Sequence, residues 1–305
     1  MLPFDSIDTA LVRSVTRPVS IRTPAVAGSF YPQDPESLRR MLGHCLAGAP
    51  DAARNAAAQA PALGFGRRPK ALIAPHAGYV YSGPIAGSAY GALAGPVQTA
   101  QGIEGLGVAG PRIERVILIG PSHFVPFAGL AVPRAAAFET PLGIVPIDEE
   151  ARRKVLDSGQ VIAADRPHAS EHSLEVQLPF LQLLLGEFRV LPIAAGDATA
   201  QEVAAALDCV WGDEETLIIV SSDLSHYLTY SAARRIDAAT AKLILDQSTV
   251  LGAEEACGHV GINGLMLIAR RRALRVELLD LRNSGDTAPD RSRVVGYGAF
   301  ALHEA

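Results

Sequence analysis

Three short apolar runs, each ended by Gly, Pro or Ser and followed by a histidine, most constrain how this 305-residue chain folds. Runs this short and rich in Ile, Val and Leu are typical of buried parallel strands. In an open α/β sheet, ligands bind outside the carboxyl ends of the strands. We therefore expect the histidines to meet in one crevice, as a metal site or an acid–base site. The runs are Ala71–Ala74, Val116–Ile119 and Leu217–Val220, and the residues after them include His76, His123, Asp223 and His226.

The rest of the chain alternates between strand-like and helix-like segments. This alternation predicts one α/β domain with a central, mostly parallel or mixed sheet flanked by helices. Residues 1–21 are interpreted as an irregular leader and 22–305 as the domain. Two inserts are rich in small residues: 48–69 is interpreted as a surface connection, and 94–111 as a second insert of low complexity. A helix is expected to begin at about Pro84, because proline is favoured at the first helical position.

Composition limits the class of partner and the compartment. The formal net charge of −5 gives no electrostatic footprint for nucleic acid. No apolar stretch reaches the roughly 18 residues that a membrane span needs. The three cysteines, Cys45, Cys209 and Cys257, are odd in number and widely spaced, which argues against a disulfide framework. We expect a cytoplasmic protein, since the cytosol keeps thiols reduced.

Two familiar motifs are present in unfavourable contexts. Gly105–Gly110 matches the dinucleotide-binding pattern, but it precedes a strand instead of joining a strand to a helix. His168–His172 matches the H-x-x-E-H pattern of some zinc peptidases. Pro167 predicts that a helix begins too late to place both imidazoles on one face. A nucleotide site and a peptidase site are both disfavoured.

His76 and His123 are the first candidates for metal ligands. A single loop histidine more often bonds to backbone, but two at equivalent strand ends favour a shared ion. Imidazole suits Fe, Cu, Zn and Ni, so the residues leave the metal open. Cys257, just before a predicted helix, offers a third ligand, and a nearby helix N-terminus is expected to lower its pKa. The alternative for Cys257 is a small buried apolar residue.

Asp223 and His226 are the candidates for moving protons on and off a bound substrate. The alternative is a capped helix start with His226 facing solvent. Further polar and aromatic side chains close to these motifs are expected to line the crevice, although the tyrosines could equally be packing residues and the Glu171, His172 and Glu175 group a charged helix entrance at the surface. These weaker candidates are Tyr79, Tyr81, Ser122, Glu171, His172, Glu175, Tyr227 and His259.

Taken together, the motifs resemble the Memo family, which in prokaryotes is also called AmmeMemoRadiSam system protein B. The resemblance runs in order from about residue 22 to the C-terminus. It implies a fold like that of class III extradiol dioxygenases, which use non-heme Fe(II). By the family pattern, His76, His123 and Cys257 are metal ligands, and His226 is an acid–base histidine with Asp223 beside it. The segments that carry the resemblance are Arg22–Pro32, Pro75–Gly83, Gly120–His123, Glu171–Phe180, Ser221–Tyr227 and Cys257–Gly258.

The chain departs from the dioxygenases at the third ligand, where a cysteine replaces their carboxylate. A thiolate is softer and favours copper, zinc or thiolate-ligated iron. We expect one transition-metal ion, Fe(II) before Cu or Zn. One hypothesis is a metal-dependent, dioxygenase-like oxidoreductase acting on a small molecule. The alternative is a non-catalytic metal-binding or redox-regulatory protein that holds a partner or peptide in the same crevice. The family name also implies a functional link to radical-SAM and AMMECR-type proteins.

Overall fold

Strands and helices alternate along the computed structural model, which describes residues 20–48, 68–99, 102–108 and 111–304. The predicted leader, 1–21, and the insert at 48–69 lie almost entirely outside these ranges. The strands are β1 (Ile21–Arg22), β2 (Ala71–Ala74), β3 (Ala94–Thr99), β4 (Gly102–Val108), β5 (Arg115–Pro121), β6 (Leu130–Val132), β7 (Ala137–Thr140), β8 (Gly143–Pro146), β9 (Val161–Ala163), β10 (Arg189–Ala195), β11 (Thr216–Ser221), β12 (Arg275–Asn283) and β13 (Gly296–His303).

Several helices begin at side chains that accept hydrogen bonds from the first turn. Asp34 and Asp148 each accept a backbone N–H three residues on, and Thr199 forms a capping box with Glu202. A single 3₁₀ turn, Glu175–Gln177, leads into α5. The helices are α1 (Pro35–Ala47), α2 (Tyr79–Gly91), α3 (Glu149–Asp157), α4 (Arg166–Ala169), α5 (Leu178–Leu185), α6 (Ala200–Cys209), α7 (Tyr230–Leu245), α8 (His259–Arg271) and α9 (Ser284–Thr287).

The main sheet has eight strands in the order β12-β13-β2-β11-β5-β10-β6-β9. The four central strands, β2, β11, β5 and β10, run parallel, while β13 and β6 flank them antiparallel. This confirms the predicted mixed α/β sheet. Strands β1, β7 and β8 form a small second sheet, and β3 pairs with β4 in a hairpin.

The core lies on both faces of the main sheet because alternate strand residues point in opposite directions. Leu72, Leu118 and Ile219 pack on one face against α1, α2 and α5. Their neighbours along the strands pack on the other face against α3, α6, α7 and α8. Both faces of the parallel strands are therefore dry, which accounts for their continuous apolar sequence.

The structure corrects the expected start of one helix. α2 begins at Tyr79, five residues before the predicted start, and Pro84 lies inside it. Proline lacks an N–H, so the helix forgoes one backbone hydrogen bond at this point. Buried contacts made by Ile85 and Tyr90 hold the helix together around that loss. Because of this earlier start, Tyr79 and Tyr81 lie in the first turn of the helix, directly after the loop that carries His76.

The second insert, 94–111, has regular structure where it is described. Its described residues form the β3–β4 hairpin. Gly105 to Val108 of the dinucleotide-like pattern lie in β4, and the last two residues of that pattern lie outside the described ranges. No described helix combines the length and apolarity needed to cross a membrane.

Candidate metal centre

Three neighbouring strands deliver the candidate residues to one edge of the sheet. His76, Asp223 and His123 each lie two residues beyond the end of β2, β11 and β5 respectively. β11 lies between the other two strands, so Asp223 leaves the sheet between the two histidines. The expected meeting of these side chains at one crevice is what the structure shows.

A cluster of three imidazoles forms at this edge. The potential ligand atoms of His76, His123 and His172 all lie within 4.8 Å of one another. The His123 and His172 rings stack at a centroid distance of 4.8 Å, and the His76 ring stands edge-on to both. Such a cluster can hold a metal ion. His172, which the sequence offered only as a wall residue, is thus a full member of the group.

The hydrogen bonds around His76 determine which ring nitrogen carries its proton. The Ser221 hydroxyl has one proton, and it donates that proton to the Ser173 carbonyl at 2.6 Å. Gln177 Nε2 and His76 Nδ1 lie 2.8 and 2.9 Å from the same hydroxyl oxygen, so both must donate to it. His76 therefore carries its proton on Nδ1. Its Nε2 lone pair is left to face the cluster as a metal ligand does.

Glu171 orients His123 in the same way. Its carboxylate accepts His123 Nδ1–H at 2.9 Å and the His123 backbone N–H at 2.6 Å. It also accepts the backbone N–H groups of His172 and Ser173. These hydrogen bonds and the nearby His123 ring hold the pKa of Glu171 down at about 2 in spite of its burial. A carboxylate on Nδ1 leaves Nε2 of His123 as the ligand atom.

His172 contributes a buried nitrogen without a partner. Its Nδ1 makes no hydrogen bond with the residues that the structure describes, although a Glu171 oxygen lies 3.4 Å away. Burial lowers the pKa of His172, so the neutral imidazole with its lone pair is favoured. Since buried polar atoms are normally paired, this atom is suited to an ion at the cluster.

Cys257 approaches one member of the cluster, His76, from the start of α8, and it is not part of the described group whose ligand atoms all lie within 4.8 Å of one another. Its Sγ lies 3.3 Å from His76 Nε2, and the Asp223 backbone N–H points at the sulfur from 3.3 Å. Two donors bound to one ion at about 2.0 and 2.3 Å stand about 3.5 Å apart, so this spacing is compatible with a shared ion. Burial, together with the nearby Asp223 carboxylate, raises the pKa of the thiol, the opposite of the direction expected from the helix N-terminus.

Gly258 makes this approach of α8 to the sheet possible. A Cβ at this position would stand 2.5 Å from the Ser221 carbonyl and 2.6 Å from Ser222 Cβ. The absent side chain therefore lets the helix start pack directly on the end of β11. Cys257 and His259 also line a separate cavity of about 280 Å³, together with Ser122, and none of the three lines the crevice that holds the imidazoles.

Asp223 and His226 lie on the same crevice as the imidazoles. Burial raises the pKa of Asp223 to about 7, although backbone N–H groups of His76 and Ala77 act to lower it. Burial, with the nearby His123 ring, lowers the pKa of His226 below its usual value. His226 is therefore mainly neutral near pH 7 and able to accept a proton.

The crevice has a volume of about 600 Å³. Of the predicted wall residues, Tyr81, His172 and Tyr227 line it, and Glu171 lies beneath the histidines it orients. Tyr79 is buried behind the wall, where its hydroxyl donates to the Val176 carbonyl at 2.5 Å.

Glu175 is also buried behind the crevice. It forms an ion pair with Arg22, accepts the Tyr31 hydroxyl, and accepts the backbone N–H of Ala25 at 2.7 Å. Arg22 in turn donates to the Glu171 carbonyl at 2.6 Å. This network fastens the N-terminal segment beside the Glu171–His172 loop.

The H-x-x-E-H segment divides between two environments. His168 lies in the four-residue helix α4, and its Nε2 donates to the Ala131 carbonyl at 3.1 Å. Only His172 reaches the cluster, so the two imidazoles do not share one helical face.

Sequence reasoning missed Gln177 and Arg293. Gln177 bonds to Ser221, Tyr90 and the Pro75 carbonyl, and so supports the His76 loop. Its position inside the Glu171–Phe180 segment was the available signal. Arg293 lines the crevice from a segment that carried no recognised motif.

Comparison with known proteins shows the family of this chain. A family model described as "Memo-like protein" matches residues 22–301. A MEMO1 family protein of Nitrosopumilus maritimus is 34% identical over 293 residues, covering 92% of this chain and 98% of that protein. The MEMO1 family protein MTH_45 of Methanothermobacter thermautotrophicus is 35% identical, and one from Aquifex aeolicus is 33% identical, each over 91% of this chain and 98% and 97% of its own length. A full-length match at this level defines a family, and the chain belongs to the Memo family.

Proposed function

We propose that this protein is a metal-dependent oxidoreductase that binds one transition-metal ion, Fe(II) first, through His76, His123 and Cys257. The observation that carries the proposal is the setting of the two imidazoles. Ser221 and Glu171 fix the protons of His76 and His123 on Nδ1, so both Nε2 lone pairs are presented in one place. A histidine bonding only to backbone would not need this support.

The side chains around the cluster have separable roles. His76, His123 and Cys257 would hold the ion, and His172 lies against them with a nitrogen that has no protein partner among the described residues. An ion bound there would supply Lewis acidity and one-electron chemistry with O₂. His226 would accept a proton from a substrate in the crevice, with the buried Asp223 on the same wall.

Metal stoichiometry tests the ligand assignment. We expect His76→Ala and Cys257→Ala to lose the ion while the fold survives, and His172→Ala to keep it. Elemental analysis of protein purified without chelators or an affinity tag provides the measurement. If His172→Ala loses the ion and Cys257→Ala retains it, the third ligand is the His172 imidazole and not the Cys257 thiol.

Turnover distinguishes the oxidoreductase from a metal-binding protein that does not catalyse. O₂ uptake by iron-loaded protein with a catechol would support the enzyme, and we expect His226→Ala to retain the ion and lose uptake. Tightly held copper without any turnover would favour the non-catalytic alternative.

A further inference from the structure

Arg293 brings a positive charge to the crevice, and the proposed metal site gives that charge no role. Of the residues that the structure describes, it is the only Lys or Arg that lines the cavity. Within the described ranges Arg293 forms no ion pair and no hydrogen bond, and its guanidinium stacks on the Tyr227 ring at 5.4 Å. An arginine is expected to pair with a carboxylate or phosphate when one is within reach. This one is left available to a ligand.

The acidic groups of the crevice are engaged elsewhere. Asp290 turns back on its own loop, where one oxygen accepts the Ser292 N–H at 2.8 Å and its hydroxyl at 2.7 Å. Asp223 accepts the His76 backbone N–H at 2.7 Å. Among the described residues neither carboxylate forms an ion pair with Arg293, so its guanidinium can pair with a negative group of a ligand.

Backbone hydrogen bonds hold Arg293 opposite the loop that carries His226. The Val294 N–H donates to the Leu228 carbonyl, and the Gly296 N–H donates to the Ser225 carbonyl, both at 2.8 Å. Arg293 and Tyr227 thus face one another across two connected segments. These bonds fix the backbone at Arg293, and the Tyr227 ring gives its guanidinium a surface to lie on, which lowers the entropic cost of binding.

Tyr227 shows that this arrangement carries a cost. Its φ is 57°, in the left-handed region that bulky residues avoid, and its side chain is 64% exposed. The ring gains little from burial in return for that backbone conformation. Strain of this kind tends to occur at ligand sites. The conformation places an aromatic face under the guanidinium at the crevice mouth.

The wall below the charge is mainly apolar. Val80 and Tyr81 are 60% and 44% exposed, although both lie on a helix whose other residues are largely buried. Phe30 and Tyr297 line the same cavity. Exposed apolar side chains around a concave site indicate a ligand with an apolar body.

We propose that the ligand of this crevice is an organic carboxylate with a flat apolar body. Its carboxylate pairs with Arg293 on Tyr227, its body lies along Tyr81 and Phe30, and its far end reaches the imidazoles. Only that last element rests on the proposed function. A single guanidinium matches the charge and the two oxygens of a carboxylate, whereas a phosphate dianion would leave one charge unpaired.

Calorimetric titration of the full-length protein as purified, repeated with added Zn²⁺, tests the charge. The probes are 3-phenylpropionate, its neutral analogue 3-phenylpropionamide, and phenyl phosphate. We expect 3-phenylpropionate to bind about tenfold more tightly than the amide, equivalent to about 1.4 kcal/mol. Arg293→Gln should abolish this preference, and Arg293→Lys should keep part of it.

Arg270→Gln is the matched control, because Arg270 is an exposed arginine in the last turn of α8, outside the crevice. Equal binding of acid and amide to the wild type, or a preference that survives Arg293→Gln, would overturn the inference. Tighter binding of phenyl phosphate than of the acid would also overturn it and indicate a phosphorylated ligand. Carboxylate binding by protein that holds no metal would support the inference while the proposed function fails.

Discussion

Replacing Glu171 by Gln is the sharpest test of how the chain prepares its histidines. The carboxylate is 2% exposed and accepts four N–H groups, three on Oε1 and one, from the His123 backbone, on Oε2. Gln keeps one oxygen for the first three. Its NH₂ then meets the His123 N–H donor to donor, so one charged hydrogen bond is lost and two buried donors are left unpaired.

The cost follows from those counts. A hydrogen bond to a charged group contributes about 1.5–3 kcal/mol, and an unpaired buried donor costs about 1–3 kcal/mol. Since the loop can relax, we expect Glu171→Gln to lower the free energy of unfolding by about 2–4 kcal/mol. The His123 Nδ1–H would then face a neutral amide oxygen instead of a carboxylate, and the His123 backbone would lose its acceptor, so metal binding should also weaken by about 10- to 100-fold.

Urea denaturation of chelator-treated protein measures the first quantity, and Zn²⁺ titration against a competing chelator measures the second. Glu187→Gln serves as the control, because that carboxylate side chain is 96% exposed. Wild-type metal affinity in a folded Glu171→Gln variant would refute the idea that the charge of this carboxylate supports metal binding through His123.

Three further changes address the surroundings of the cluster. Burial raises the pKa of Asp237 from 3.8 to about 6. Its contribution to the free energy of unfolding is therefore full below pH 4 and is lost as the pH rises through 6. Between pH 4 and pH 7 the stability of Asp237→Asn should increase by about 2–3 kcal/mol relative to that of the wild type. Gly258→Ala places a Cβ 2.5 Å from the Ser221 carbonyl and should cost about 1–3 kcal/mol and weaken metal binding. Asp223→Asn can still accept the His76 N–H and should retain the ion, whereas Asp223→Ala should be destabilised by about 1–3 kcal/mol.

Each of these has its own measurement. For Asp237, the readout is the difference between the urea unfolding free energies of the two proteins across pH, and a flat difference would contradict the assigned direction. For Gly258, the matched change is Gly43→Ala, because no atom lies within 4 Å of that Cβ in α1 and alanine should stabilise the helix. For Asp223, equal stability of the Asn and Ala variants would show that the hydrogen bond contributes nothing.

The fold could be predicted where the sequence of a strand shows that both of its faces are buried. Ala71–Ala74 and Thr216–Ser221 are apolar on both faces, and the structure places helices on both. The start of α2 was not predictable. Proline in a helix usually lies in the first turn, and only tertiary contacts keep Pro84 in the middle of α2. The order of strands in the sheet could not be predicted from the sequence either, since it depends on pairing between strands that lie far apart along the chain.

The site was predictable in position more than in composition. His76 and His123 follow recognisable strands, so their meeting could be inferred. His172 follows no strand and reaches the cluster because Glu171, the residue before it, is drawn to the His123 backbone. Arg293 depends on an antiparallel pairing of irregular segments, which leaves no periodic trace in the sequence.

The strand order explains why the loop after β11 is so polar. Because β11 lies between β2 and β5, its exit loop borders both histidine loops and the start of α8. Asp223 uses this position twice: its carboxylate holds the His76 backbone, and its own N–H points at Cys257 Sγ. The residue assigned to proton transfer by sequence is therefore also a fixed support between one imidazole and the thiol. Asp223→Ala removes both the titratable carboxyl and the acceptor for His76, so it cannot separate proton transfer from support. Asp223→Asn keeps the acceptor and removes the charge, so it can.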